Sequence, residues 1–275
     1  MLAAGMGFTV RDIISPLRDP GRVARALVGN FVLVPLLAVG VVHAFSLDPA
    51  LELGLILLGT SAGTPFLIKL VAFARADVAL GTALLVLLVP MTVVFMPIAV
   101  PLLAPDIAVD AAAIAVPLAL TLLLPLGVGL IVSEKAQRWA RRLQPIARTA
   151  STITLVLLFA AILLVNLRDL GHLLASRAAF AILVFVAGSF VIGYVIASPH
   201  PERRAVLGLG TAQRNIAAAT VVAAEGFRGS DTLVLVVVTA VVGLLFLVPL
   251  ARWLRRWIRN AAAHAPHSEL SGSRA

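Results

Sequence analysis

Several residue types and motifs that carry enzyme chemistry are missing from this sequence. It contains no cysteine, which excludes disulfide bridges, thiolate nucleophiles and Cys-ligated metals. It also has no Walker-type phosphate loop, no evident nucleophile–base pair and no cluster of residues with metal-ligand spacing. We therefore predict that the protein is not an enzyme, has no bound cofactor and is not driven by ATP.

Charge is also scarce, and apolar residues take its place. Only 13% of the 275 residues are charged, whereas 61% are hydrophobic. Apolar runs of about 20 residues recur along the chain, which is the length that a helix needs to cross a bilayer. The strands of a membrane β-barrel would instead alternate over about 10 residues. The sequence therefore predicts an all-α polytopic membrane protein in contact with lipid.

Eight full spans can be drawn between segments that carry turn or charge signals. They cover residues 24–46, 51–73, 77–103, 110–132, 149–167, 178–198, 204–225 and 231–253. Cytoplasmic segments of membrane proteins are rich in Lys and Arg. With the N-terminal segment inside, 16 of the 22 basic residues fall on inner segments and only Arg168, Arg177 and Arg228 on outer loops. This bias predicts a multi-pass protein of the cell (inner or plasma) membrane with a cytoplasmic C-terminus. The same bias accounts for the net charge of +9, so we predict no nucleic-acid partner.

Part of the chain repeats with opposite topology. The second span and the third span, which Asp77 starts, have counterparts in the seventh span and in the eighth, which Asp231 starts. The second span enters from outside and the seventh from inside, an inverted repeat typical of secondary transporters. The predicted units are the remainder of a first repeat (1–133, the end of one helix plus four spans), a basic cytoplasmic linker (134–148), a second repeat of four spans (149–259) and a disordered cytoplasmic tail (260–275).

Two basic residues lie inside the repeated spans. A cation near the bilayer centre costs about 2.5–3.5 kcal/mol on insertion scales, so each of them indicates a site. Lys69 either faces a cavity or extends its ammonium to the inner interface near Arg75. Arg214 lies deeper in its span, and we expect it to face a cavity. If both face one cavity, they favour an anionic solute or replace mobile cations.

Polar and Gly-rich sequence surrounds both cations. The residues concerned are Gly59, Thr60, Ser61, Gly63, Thr64 and Pro65 before Lys69, and Gly210, Thr211, Gln213 and Asn215 around Arg214. Glycine and proline weaken a helix, and unwound backbone at membrane depth is tolerated only where it is buried in protein or lines a wet cavity. Two interpretations stay open. One is close helix packing with interhelical hydrogen bonds, and the other is a pair of discontinuous helices that contact a solute. Single polar residues such as Asn30 are interpreted as packing hydrogen bonds.

Three stretches resemble the bile acid:sodium symporter family. Gly5 to Asp12 (GMGFTVRD) resembles the family's GMGLTL-x-D, Ala74 to Leu80 (ARADVAL) its ARGNVAL, and Gly210 to Asn215 (GTAQRN) its EVGMQN region. The resemblance implies about ten helices in two inverted repeats, with a panel domain and a core domain in which two discontinuous helices cross. By that measure the chain begins at the end of the second helix, and about eight full spans of the expected ten are present.

The resemblance also sets expectations about sodium. In the family, a Glu four residues before the Gln helps to hold sodium. Here Gln213 matches that Gln, and Leu209 stands at the Glu position. Arg214 separates Gln213 from Asn215, whereas the family has Gln and Asn adjacent. Sodium near Gln213 and a proton are the candidate coupling ions. The alternative hypothesis is that Lys69 and Arg214 supply fixed positive charge where relatives bind sodium.

These observations predict a secondary active transporter of a small organic anion that works by alternating access. The alternatives are an exporter like the arsenite permeases or the cation/proton antiporters, and a non-transporting, truncated membrane paralogue. The Cys expected of an arsenite permease and the paired intramembrane Asp residues expected of an antiporter are missing. The sequence does not predict an oligomeric state.

Overall fold

The computed structural model describes residues 1–7, 19–105, 110–165, 177–226 and 230–263, and every regular element in these ranges is helical. The helices are α1 (Leu2–Gly5), α2 (Pro20–Val28), α3 (Val34–Phe45), α4 (Pro49–Thr60), α5 (Phe66–Phe73), α6 (Val78–Leu103), α7 (Ala111–Leu118), α8 (Leu124–Lys135), α9 (Gln137–Val165), α10 (Arg177–Ile196), α11 (Pro201–Ala212), α12 (Ile216–Gly226) and α13 (Ser230–Ala263). The prediction of an all-α protein is confirmed.

Aspartate caps and prolines mark several helix starts. Asp19, Asp77 and Asp110 each precede a helix, and each carboxylate accepts a hydrogen bond from a backbone N–H of the first turn at 3.0 Å. Such caps satisfy donors that have no partner inside the helix. One π-helical turn joins α2 to α3 and another joins α7 to α8, and a proline follows each of them. Proline lacks an N–H and clashes with the carbonyl four residues back, which favours a widened turn there.

Five stretches of helix in the described residues are long and apolar enough to cross a membrane. They are Pro20–Phe45, Val78–Leu103, Ala111–Lys135, Arg177–Ile196 and Thr232–Asn260. The predicted second and seventh spans are each divided into two shorter helices, α4 with α5 and α11 with α12. The predicted span at 149–167 falls largely within α9. A multi-pass membrane protein is thus supported, and the total of eight spans stays a prediction.

Burial separates two helices from all the others. Every residue of α4 from Leu53 to Thr60 is buried, and so is every residue of α11 from Ala205 to Ala212. A helix that is buried on all sides lies in the centre of a bundle. α4 packs against α3, α6 and α13, while α11 packs against α10, α6, α5 and α13. Most of the remaining helices expose large apolar side chains, as lipid-facing helices do.

Some predictions fall outside the described residues. These are the Phe8 to Asp12 part of the first motif, most of the outer loop between α9 and α10, Arg228, and residues 264–275 of the tail. The predicted basic linker at 134–148 is described, and it is helical except at Ala136.

Candidate functional site

The two divided helices meet at their interruptions. α4 ends at Thr60 and α5 begins at Phe66, while α11 ends at Ala212 and α12 begins at Ile216. The backbone N–H of Asn215 donates a hydrogen bond to the carbonyl oxygen of Ser61 at 3.2 Å. Both residues are buried. Two stretches of non-helical backbone, distant in sequence, therefore form one buried junction, which we call the helix-break junction (residues 61–65 and 213–215).

Gly63 fixes the path of the first interruption. Its φ of +77° is left-handed, a conformation that residues with a Cβ adopt at a cost. A Cβ at this position would also lie 2.9 Å from the Cβ of Leu88 and 2.9 Å from the backbone N of Val89 on α6. Both constraints demand glycine. The interruption is therefore pressed directly against the backbone of α6.

Thr92 on α6 replaces the backbone partners that the first interruption lacks. Its hydroxyl accepts a hydrogen bond from the N–H of Ala62 and donates one to the carbonyl of the same residue, both at 2.8 Å. Unpaired backbone groups in a membrane interior cost several kcal/mol. One side chain thus satisfies both polar groups of a residue that has left the helix.

The predicted hydroxyl residues of the first interruption bind neighbouring backbone. Thr60 Oγ1 donates to the carbonyl of Ile56 at 2.8 Å, and Ser61 Oγ donates to the carbonyl of Leu58 at 3.1 Å. Thr64 Oγ1 accepts from the N–H of Phe66 at 3.5 Å, next to Pro65, which precedes α5. The hydroxyls of Thr60 and Ser61 therefore bond to the last turns of α4, and that of Thr64 bonds to the first residue of α5.

Asn215 starts the helix after the second interruption. Its Oδ1 accepts from the N–H of Ala218 at 3.1 Å, which is the capping geometry of an Asn before a helix. Its Nδ2 is buried and has no hydrogen-bond partner among the described residues. The neighbouring Gln213 is half-buried, and its backbone N–H donates to the carbonyl of Leu209. The junction therefore holds one unused donor beside one half-exposed amide.

Arg214 is sealed inside the junction and binds oxygens only. Its Nε donates to the carbonyl of Leu58 at 2.9 Å, and Nη2 donates to the carbonyl of Gly59 at 2.7 Å. Nη1 donates to Asn30 Oδ1 at 2.9 Å and to the carbonyl of Thr211 at 3.1 Å. The residue is only 2% exposed. Four of the five guanidinium N–H groups are used in these bonds.

Three of the four partners of Arg214 lie at the negative ends of two helices. The carbonyls of Leu58 and Gly59 belong to the last turn of α4, and that of Thr211 to the last turn of α11. The last carbonyls of a helix have no partner within it and carry partial negative charge. A guanidinium therefore neutralises both helix C-termini at once. The N-termini of α5 and α12, which carry partial positive charge, lie on the other sides of the two interruptions.

Lys69 has different surroundings from Arg214. Its side chain is exposed on α5, with Nζ 5.9 Å from the centre of the Phe66 ring. That distance allows a weak cation–π attraction. The two basic residues do not share one buried pocket.

Two further glycines allow close packing at the junction. A Cβ at Gly59 would lie 2.7 Å from the Cβ of Ala38, too close without a shift of α3. A Cβ at Gly210 would lie 3.3 Å from Leu67 Cδ2, which is tight but at the end of a flexible side chain. Gly59 therefore has the stronger structural requirement.

Sequence reasoning did not assign two residues of the junction to it. Thr92 was not distinguished, because a single hydroxyl in an apolar span is a weak signal. Asn30 was interpreted as a packing residue, yet it accepts from Arg214, and its Nδ2 donates to the carbonyl of Ala26 at 3.0 Å. A buried Asn that can pair with a buried Arg is the signal that could have identified it.

Comparison with known families agrees with the first two sequence motifs, at residues 5–12 and 74–80, which lie within the matched residues. The sequence model of the Sodium Bile acid symporter family matches residues 1–173, which is more than half of the chain. The match includes the first interruption and the helices around it, while the second interruption lies beyond its end. No curated protein matches the chain. By this match, the chain belongs to the Sodium Bile acid symporter family.

Proposed function

We propose that this protein is a secondary active transporter of a small organic anion and that it works by alternating access around the helix-break junction. The observation that carries the proposal is the buried hydrogen bond from Asn215 N–H to Ser61 O, which joins two interrupted helices in the centre of the bundle. Transporters commonly place their solute where broken helices meet near the bilayer midplane. Family membership supports the same class of function.

The charges around the junction favour an anion. Arg214 is the only charged residue among the buried residues that the structure describes, and no carboxylate is among its hydrogen-bond partners there. The N-termini of α5 and α12 add partial positive charge, which attracts anions. Asn215 Nδ2 is a donor without a partner among the described residues. Gln213 belongs to the same interruption as Asn215, and Thr64 belongs to the other one. We propose that a carboxylate or sulfonate binds next to these groups, with Lys69 increasing the local positive potential.

Several contacts support the proposed membrane topology and inverted repeat. Phe45 packs against Phe180 and Thr232 donates to the carbonyl of Ala50, and all four residues were assigned to outer ends of spans. At the other end, Arg252 lies over the ring of Phe73 and Arg204 over that of Tyr194, all assigned to inner ends. In each predicted repeat, a divided helix precedes a long helix: α4 and α5 precede α6, and α11 and α12 precede α13. These pairings are the expected result if the second and seventh spans run in opposite directions.

Sodium, which the family name implies as a coupling ion, does not fit among the oxygens around Arg214. The four oxygens that meet there already bind the guanidinium. A second cation at the same oxygens would be repelled by the first in a medium of low dielectric. The described residues also contain no group of three or more His, Asp or Glu that could hold a metal ion. The proposed cycle therefore moves the anion past the protein's own fixed charge.

Uptake into proteoliposomes tests the proposal. The full-length protein is screened for saturable uptake of labelled carboxylates and sulfonates, in sodium chloride and in choline chloride. We expect at least one organic anion to be transported, and we expect Asn215→Ala to reduce that uptake severalfold. The matched control is Ser189→Ala on α10, which removes another buried, unpartnered polar group that belongs to neither interruption. Saturable uptake of a cation and of no organic anion would overturn the proposal.

A further inference from the structure

We infer that the oxygens around Arg214 form a monovalent-cation site that this protein fills with its own side chain, and that shortening Arg214 opens the site to sodium. The inference concerns the ion at the junction and holds whichever solute is transported. It can therefore be tested without a transport assay.

The ligand set around Arg214 is that of a cation site. It consists of three backbone carbonyls, from Leu58, Gly59 and Thr211, and the amide oxygen of Asn30, all within 3.1 Å of guanidinium nitrogens. Unwound carbonyls and the C-terminal ends of half-helices are the groups that coordinate small cations inside transporters. Three separate parts of the chain converge to provide them.

The charge of the site fits one positive charge and no more. All four ligands are neutral oxygens, and the partial negative charges come from the ends of α4 and α11. Without Arg214 the carbonyls of Gly59 and Thr211 would lose their guanidinium donor in the centre of the bundle, which costs free energy. The carbonyl of Leu58 would keep only the donors of Ser61. A sodium ion carries the same charge as the guanidinium and can be coordinated by the same oxygens. It is therefore the natural occupant when the side chain is removed.

The enclosure explains why the built-in cation excludes a mobile one. Asn30, Thr211 and Gly59 are buried together with Arg214, so the oxygens have no face open to solvent. The guanidinium is attached to the backbone of the second interruption and cannot leave it. We therefore expect the charge at this position to stay constant throughout the cycle, whereas a bound sodium ion would dissociate and rebind.

The first measurement uses the wild-type protein. The three Trp residues report thermal unfolding of the purified protein in detergent. The melting temperature is compared in sodium chloride and choline chloride at equal ionic strength. Because Arg214 already fills the site, we expect the same melting temperature in both salts. A saturable rise with sodium would show that a mobile ion stabilises the native state and would overturn the inference.

The second measurement opens the site. Arg214→Ala should melt at a lower temperature than wild type in choline chloride. Sodium should then raise its melting temperature saturably, by on the order of 5 °C at 100 times the dissociation constant. Ethylguanidinium at millimolar concentration should raise it too, since it restores the missing group. Arg214→Met is the matched control, because its side chain occupies the space and neither ion should rescue it. No response of Arg214→Ala to either ion contradicts the inference.

A second pair of variants carries the test if Arg214→Ala does not fold. Arg214→Lys keeps a positive charge in the site. Arg214→Gln loses the charge and brings an amide oxygen that can bind sodium, which the apolar side chain of Met cannot do. We expect sodium to stabilise the Gln variant and to leave the Lys variant unchanged. If sodium raised the melting temperature of both variants equally, or did not raise that of the Gln variant, the inference of a monovalent-cation site would be contradicted.

Discussion

The two interruptions of the helix-break junction differ in the hydrogen-bonding groups that they supply. The first, at residues 61–65, is a longer stretch whose path depends on Gly63, and together with the end of α4 it offers carbonyl oxygens. The second, at residues 213–215, is short and supplies donors, namely the N–H of Asn215 and the guanidinium of Arg214. Each provides the hydrogen-bonding groups that the other lacks. Helix interruption inside a membrane is therefore tolerated here because two complementary interruptions meet.

Because the two interruptions are stabilised by different groups, we expect them to respond differently to substitution. The first interruption depends on backbone geometry and on an external clamp, Thr92 on α6. The second depends on the charge of one side chain. Removing that charge should affect both interruptions, whereas altering the backbone path should affect mainly the first.

The largest loss is expected from Arg214→Met. The variant leaves the carbonyls of Leu58, Gly59 and Thr211 without their charged donor, and we expect about 3 kcal/mol or more of destabilisation. The measurement is denaturant or thermal unfolding in detergent. Arg22→Ala is the control, since Arg22 pairs with Asp19 on an exposed surface and should change stability by less than about 0.5 kcal/mol. Equal effects of the two substitutions would contradict the role of the junction.

The next largest effect is expected from Gly63→Ala. The added Cβ meets both a left-handed φ and the backbone of α6, so we expect a loss of about 2 kcal/mol. Gly40→Ala is the matched control, because nothing lies within 4 Å of its Cβ position in α3. That change should be neutral or stabilising by up to about 1 kcal/mol, since alanine favours helix. The same sign of effect at both positions would contradict the assigned geometry.

A somewhat smaller loss is expected from Thr92→Val. Valine keeps the shape and removes the hydroxyl that binds both polar groups of Ala62, so we expect a loss of about 1–2 kcal/mol. Thr121→Val provides the comparison, because the Thr121 hydroxyl is exposed and donates only to the carbonyl of Pro117 in its own helix. Unfolding in detergent should show little change for that variant. If Thr92→Val is as mild as Thr121→Val, the clamp is not needed to hold the first interruption.

The smallest effect on stability is expected from Lys69→Ala. Lys69 is exposed and its Nζ makes a weak contact with the Phe66 ring, so the substitution should change stability by less than about 0.5 kcal/mol. Under the proposed function, the half-saturating anion concentration should rise severalfold, and less at high salt, because the charge acts through the local potential. Unfolding and uptake measured on the same preparation separate the two effects. A large loss of stability would show that Lys69 supports the fold.

The sequence predicted the class of fold well and the junction only in part. Apolar runs and scarce charge suffice for an all-helical membrane protein, because the bilayer leaves few alternatives for the backbone. Gly63 and Pro65 mark a weak place in a helix, since their effects on backbone conformation are local. For Arg214 the sequence predicted its depth in a span, its cost there and a cavity beside it, but not the backbone carbonyls that it binds.

What the sequence could not predict depends on contacts between distant segments. The partners of Arg214 are mostly backbone carbonyls, which every residue possesses and which no side-chain pattern reveals. Thr92 acts through its position opposite Ala62, about 30 residues away. Asn30 is 184 residues away from the arginine that it binds. Such pairings appear only when the helices are packed together.

The most direct test of the central claim is whether the two interruptions touch. The chain has no native cysteine, so Ser61→Cys and Asn215→Cys can be combined without background. Their backbones are joined by a hydrogen bond of 3.2 Å, close enough for the Cα separation of about 4.4–6.8 Å that a disulfide requires. Thiols are counted with a maleimide after mild oxidation and denaturation, with the single variants as controls. We predict that the double variant loses both thiols and regains them on reduction. Two thiols that stay reactive under conditions that oxidise a known close pair would contradict the account.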